Sequence, residues 1–372
     1  MPVVYTSFII SAFVALLISF TNFKKFNKIT FILLLFFNIA IVGLRSEYVG
    51  ADSLQYYLAF NELNEMSFTQ ALMTRYAQGY ILLTRFVGYF ARSPYVFFFI
   101  TALFTISIYF FYLKRFSKNV FFAIIVFFCL NWTLFIAAMR QSYALSFILL
   151  GLPFLLNRKK VIFSLFVLIA MQFHSSAFVA LCLLPLSSLT INKKTICIFL
   201  TSAIFIFSSM TFFWQFVSKY GGVYASYAIS VFNTAGTNIV NDIIIKIIPS
   251  LIIFGIAFWG TKEKRDHVTN FFLLVCLLNL CIGIVGLNSL IITRLNGYFD
   301  FANPVVATYF LSSNTFRRMR TKIATCLCII AFFVALFTVI QIERPNWMKI
   351  TPYSPYWQPI NAYGMTMEQY FW

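Results

Sequence analysis

Long apolar stretches alternate with short polar connections along the whole 372-residue chain. The stretches are continuous, not alternating at period two, so they predict membrane helices and not barrel strands. Twelve spans are expected: 3–20, 29–44, 94–113, 119–139, 142–156, 161–173, 175–189, 195–217, 243–259, 268–290, 297–311 and 323–340. Two neighbours, 142–156 and 161–173, are only 15 and 13 residues long, against the ~20 needed to cross a bilayer. They flank a tight basic turn, Asn157-Arg158-Lys159-Lys160, and are bracketed by Arg140 and His174. Such short spans draw both bracketing residues below the membrane surface and into protein. An ionisable group at that depth marks a functional site by default.

Composition agrees with this pattern. Only 10% of residues are charged, against roughly 25% in a soluble domain. The net charge of +18 suggests nucleic acid in a soluble protein, but its distribution argues against that partner. Six alternate connections, 21–28, 114–118, 157–160, 190–194, 260–267 and 312–322, hold 18 of the 28 Lys and Arg and only two acids, Glu263 and Asp266. That is the asymmetry of cytoplasmic loops, and it places both termini outside. The first apolar run has no basic region before it, so it reads as a first span and not as a cleaved signal. The seven cysteines all fall inside expected spans and read as small hydrophobes.

The chain is therefore expected to be one all-α polytopic membrane domain over 1–372, spending its length on the outer face. The outer segments are the loops 45–93 and 218–242 and the tail 341–372. In the first, Gly50 permits a turn, and Asp52 or Ser53 can cap a helix whose Leu54, Tyr57 and Phe60 share a face. Asp52 is read either as that cap or as a carboxylate facing a polar substrate near Arg45. The apolar run Gln78–Phe90 is too short to span and predicts a re-entrant or interfacial helix. Arg75, Arg85 and Arg92 nearby can also snorkel to lipid phosphates. In the second loop, Lys219–Tyr227 is rich in Tyr and Gly, which suits sugar stacking and a membrane aromatic belt equally. Arg294 and Asp300 lie near the outer surface and can form a structural ion pair at a helix start.

The outer candidates are Arg45, Asp52, Arg85, Arg140, His174 and Arg294. Several arginines with one histidine and a carboxylate make an anion site with a titratable group. The planar guanidinium fork suits phosphate, and histidine titrates near neutrality and can move a proton. Clustered arginines can stabilise a leaving pyrophosphate without metal. One outer His and no outer Cys give no zinc set, and no Walker loop, Rossmann glycine pattern or nucleophile elbow is present. No metal and no cofactor are expected.

Several motifs then resemble a family. Val49-Gly50-Ala51-Asp52 with Tyr56-Tyr57 is similar to the "G-T/A-D…Y" motif of the EpsG-like, Wzy-type polysaccharide polymerases. Gly79-Tyr80 with Leu82-Leu83 resembles their next segment, although Gln78 departs from the acidic or proline-containing lead-in expected there. Met139-Arg140-Gln141 with Ala144 resembles their "R-Q…A" span start. Ala170–Ala177, with Phe173-His174-Ser175, looks like their "A…F-H-S-A" signature. Arg294-Leu295 with Tyr298-Phe299, and Pro352-Tyr353, resemble their late elements.

The resemblance implies a fold akin to the GT-C-like, multi-span lipid-linked sugar transferases. It implies a bacterial inner-membrane enzyme that polymerises undecaprenyl-diphosphate-linked oligosaccharides on the outer face, as O-antigen or capsule, with a chain-length regulator as a partner implied by the family alone. In that reading Arg140 and Arg294 hold the donor diphosphate, assisted by Arg45 or Arg85. His174 or Asp52 orients or deprotonates the acceptor hydroxyl. The rival readings are an O-antigen ligase, a lipid-linked oligosaccharide flippase and a membrane O-acyltransferase.

Overall fold

The computed structural model describes residues 2–20, 24–220, 243–263, 265–312, 318–343, 349–350 and 353–357. Most of the loop 218–242, including the stretch past Tyr220, lies outside the described residues, as do Pro352 and most of the tail 341–372. Described residues form helices and turns, with no strand among them. Backbone contacts divide the chain into two compact units.

The first unit comprises Met1–Phe154, Lys159–Phe178 and Ile330–Trp372. Its helices are α1 (Pro2–Ser19), α2 (Lys24–Gly43), α3 (Ser53–Glu65), α4 (Phe68–Leu72), α5 (Gln78–Phe90), α6 (Pro94–Phe116), α7 (Val120–Leu130), α8 (Trp132–Ala137), α9 (Met139–Leu156) and α10 (Lys160–Met171). Helix α2 packs on α6, α1 packs on α2 and α7, and α3 and α5 pack on each other and on α6. The expected span 119–139 is two helices. Asn119 starts α7 by accepting from the amides of Phe121 and Phe122, each at 3.1 Å, and Asn131 ends it. The break lets α8 turn its last carbonyls toward α3, where the site is built.

The second unit comprises Leu155–Arg158 and Val179–Ile329. It contains α11 (Leu183–Leu186), α12 (Lys193–Tyr220), α13 (Ile248–Gly260), α14 (His267–Val285), α15 (Leu290–Asn296) and α16 (Ala302–Val306). Helix α14 is its axis and packs on all five others. It is apolar on every side, as a fully enclosed helix must be. The expected spans 175–189 and 297–311 are not continuous helices: the first is a 3-10 run followed by one turn at Pro185, and the second is broken around Gly297 and Pro304, residues that respectively weaken and interrupt the helical hydrogen-bond ladder. A last helix, α17 (Met319–Glu343), gives its first part to the second unit and its remainder to the first.

Seven helical stretches among the described residues are long and apolar enough to cross a membrane: Phe26–Gly43, Pro94–Phe116, Met139–Leu156, Lys193–Met210, Ile243–Gly260, His267–Val285 and Met319–Ile342. Four shorter apolar helices accompany them. The chain is thus a polytopic, all-helical membrane protein.

Candidate functional site

The loop between α2 and α3 is built on Arg45. Its side chain is fully buried. Nε donates to the Val49 carbonyl and the Ser53 hydroxyl, each at 3.2 Å, and one terminal nitrogen donates to the Ile136 carbonyl of α8 at 3.0 Å. The other terminal nitrogen donates to the Val42 carbonyl, and the guanidinium lies over the Phe98 ring. The described part of the tail closes the other side. Ser46 N donates to Ser354 O and Tyr356 N to Leu44 O, both at 2.9 Å, and Gly50 N donates to Lys349 O at 2.7 Å. Gly50 has φ +107°, and a Cβ there would meet the Ser53 hydroxyl at 2.5 Å and the Ile136 carbonyl at 2.9 Å. The glycine of the Val49–Asp52 motif is therefore required by both backbone and space.

Arg45 thereby ties the start of α3 to the end of α8, and the next helix, α9, begins one residue later. Arg140 is the second residue of α9. Around it stand Tyr56 of α3, Tyr76 before α5 and Tyr80 of α5. The Arg140 guanidinium hydrogen-bonds the Tyr56 hydroxyl and lies 5.3 Å from the centre of the Tyr76 ring. The Tyr56 and Tyr80 rings are 6.1 Å apart, and those of Tyr76 and Tyr80 are 5.6 Å apart. Burial is the main force that pushes the Tyr56 phenol up to about 12, with the Asp52 charge adding to it. The phenol is therefore neutral at cellular pH, and while accepting from Arg140 it keeps a proton to donate. Among the described residues Arg140 Nε is buried without a hydrogen-bond partner, and the Tyr80 hydroxyl, on a side chain that is 0% exposed, has only the Thr84 side chain beside it and no well-formed hydrogen bond. Buried donors are nearly always satisfied, so a guanidinium nitrogen left without a partner among three tyrosines is a candidate anion contact.

Asp52 stands one helical turn before Tyr56, on the same face of α3. It occupies the cap position, yet its side chain makes no capping hydrogen bond. Its charge acts on both Tyr56 and Lys349. The buried face of α3 is Ser53, Leu54, Tyr56, Ala59, Phe60 and Leu63, so Tyr56 and not Tyr57 faces inward. Helix α3 packs on two neighbours, which widens its buried stripe beyond the one the sequence pattern alone suggests.

His174 follows α10. The hairpin of α9 and α10 brings it to the end where Arg140 begins α9, and Phe173 stacks on Tyr143 at 5.1 Å and on Phe147 at 5.2 Å. Nδ1 of His174 lies 2.6 Å from the Ser176 hydroxyl. The same turn holds α5: Tyr80 N donates to the Gln172 carbonyl at 3.2 Å. A Cβ at Gly79 would meet that carbonyl at 2.8 Å, which explains the Gly-Tyr pair.

The remaining candidates go elsewhere. Arg85 donates to the Leu63 and Met66 carbonyls at 2.7 and 2.8 Å, closing the C-terminal end of α3. Arg294 is an exposed residue of α15 in the second unit. Asp300 receives its hydrogen bonds from the side-chain amides of Asn279 at 2.7 Å and Asn303 at 3.5 Å. Both amides also donate to Ser250, a polar knot joining α13, α14 and α16. Sequence reasoning missed Tyr56, Tyr76 and Tyr80 as site residues. The readable signal was a Tyr one turn after Asp52 and another directly after a glycine.

The described residues define a polytopic, all-helical membrane protein in which a half-buried arginine, Arg140, stands among three tyrosines. The chain belongs to the EpsG family, whose model matches residues 28–354. Membership gives it a polymerase-like, glycan-processing role at the membrane. No curated protein and no solved structure matches the chain.

Proposed function

We propose that the protein polymerises undecaprenyl-diphosphate-linked oligosaccharide repeat units into O-antigen or capsular polysaccharide on the outer face of the bacterial inner membrane. The observation that carries this reading is the nest in which Arg140 Nε is buried without a partner among the described residues, with the Tyr80 phenol close to the same guanidinium. A diphosphate oxygen supplies the missing acceptor, and the Tyr56 hydroxyl can donate to the same group. The acceptor sugar hydroxyl attacks the anomeric carbon of the growing chain. The bond from that carbon to the diphosphate oxygen breaks, and undecaprenyl diphosphate leaves with the electron pair. The hydroxyl proton passes to His174 or Asp52. Donors fixed in place stabilise the developing diphosphate charge without reorganisation. Arg45 and Arg85 act on the backbone in this scheme, and Arg294 lies in the other unit, on which the scheme does not draw.

Deletion of the gene in its host, followed by electrophoresis of surface polysaccharide, tests the proposal. A ladder that collapses to core plus one repeat unit supports it. Polymer accumulating on the lipid carrier points to a ligase, and single units trapped on the cytoplasmic face point to a flippase; either result overturns it.

A further inference from the structure

A second group of side chains in the first unit has a different chemistry. Tyr57 of α3, Tyr95 of α6, and Tyr356 and Trp357 of the tail form a ladder of aromatic rings. Successive centroids are 5.5, 5.1 and 5.1 Å apart. Exposure rises along it, from half-buried at Tyr57 and Tyr95 to 39% at Tyr356 and 60% at Trp357. At its inner end the Tyr95 hydroxyl donates to Glu47 at 2.8 Å. The Glu47 side chain is only 9% exposed, and no other hydrogen bond to its carboxylate is present among the described residues. The outer end is held in place by the backbone bonds of Ser354 and Tyr356 to the Arg45 loop.

We propose that this ladder is a saccharide-binding site, taking the sugar portion of a lipid-linked glycan; the polymerase reading supplies the identity of that glycan. A pyranose has a face of C–H bonds that packs on the electron-rich face of an aromatic ring, and hydroxyls at its edge that seek charged acceptors. The ladder offers both: ring faces that reach solvent and a carboxylate at the base. Core packing does not account for a Trp that is 60% exposed on a hydrogen-bonded backbone. Tyr56 and Tyr57 are adjacent on α3, so the anion nest and the sugar ladder start from neighbouring residues.

The experiment uses the full chain in nanodiscs and the phosphate-free repeat-unit oligosaccharide released by mild acid from the host's lipid-linked pool. Binding is read by calorimetry, and fold by gel filtration. The wild type is expected to bind it. Trp357→Ala and Glu47→Gln are expected to weaken binding at least tenfold, and Trp357→Phe to retain most of it. Arg140→Ala, which is expected to lower polymer synthesis ~10²–10³-fold, should bind the free sugar like wild type, so loss of the polymerase reading and loss of this site are told apart. Absence of wild-type binding overturns the proposal, as does equal binding by Trp357→Ala. A third overturning result is quenching of the Trp357 signal by brominated lipid, measured against Trp357→Phe, which assigns the ladder to the lipid interface.

Discussion

Arg45 and Arg140 carry the same cation, lie in the same unit and are linked through the end of α8, yet their surroundings differ in one respect. Arg45 is fully enclosed and spends its guanidinium on the carbonyls of Val42, Val49 and Ile136 and the hydroxyl of Ser53. The Arg140 guanidinium has a hydrogen bond to a phenol, a ring beneath it and a buried Nε without a partner among the described residues. The first cation holds the chain together; the second is held by the chain for something else. Counting partners separates them where charge does not, and burial agrees: Arg45 is fully buried and Arg140 half-buried. Arg85, with its two carbonyls at the end of α3, belongs with Arg45.

The largest effect that tests this contrast is expected at Arg45. Arg45→Ala strands several buried acceptors and should cost about 3–5 kcal/mol, seen as loss of folded protein in fluorescence-detected gel filtration. Folded, active Arg45→Ala protein would break the comparison. Next in size, Arg140→Ala should leave the melting temperature nearly unchanged and lower polymer synthesis by ~10²–10³-fold, the usual loss for removing a fixed donor to developing charge. Arg140→Lys should not restore it, because a point charge cannot reproduce the planar fork. A melting temperature that falls as far as for Arg45→Ala would place Arg140 in the same structural class.

Tyr80→Phe gives a sharper and smaller test. It deletes a buried hydroxyl with no well-formed hydrogen bond among the described residues, so stability should stay level or rise by about 1 kcal/mol. Activity should fall about tenfold, the equivalent of one hydrogen bond worth ~1.4 kcal/mol. Opposite signs in stability and activity are the signature of a group kept for a ligand; a drop in both would remove it from the site. The smallest effect is expected for Arg85→Ala, about 1–2 kcal/mol from two charge-assisted hydrogen bonds. Polymer length per folded molecule should be normal, and a shortened ladder on gels would return Arg85 to the anion site.

Parts of this were legible in the chain. The short runs 142–156 and 161–173 around a basic turn form a hairpin, and they bring Arg140 and His174 to one end of it. Gly50 and Gly79 were readable as turn and close-approach positions. The fate of Arg45 was not legible, because its partners are backbone carbonyls, one of them 91 residues away, and every residue type carries the same carbonyl. The role of Asp52 was also open: a cap position is visible in sequence, but only coordinates show that the side chain does not use it. Spans 119–139, 175–189 and 297–311 were read as single helices because hydropathy sums over a window. It does not register an Asn that ends one helix inside an apolar run or a Pro that interrupts another.

What the sequence by itself determined is the class: a polytopic all-helical membrane protein of one family. Its reason is one-dimensional. In a bilayer every backbone polar group must be satisfied within its own segment, so continuous apolar length along the chain dictates helices. The tertiary structure decided which arginine is spent on the fold and which keeps a guanidinium nitrogen without a partner among the described residues. Hydrogen-bond satisfaction is counted in three dimensions, and Arg45 and Arg140 are distinguished only by what α8, α3 and α5 bring to them.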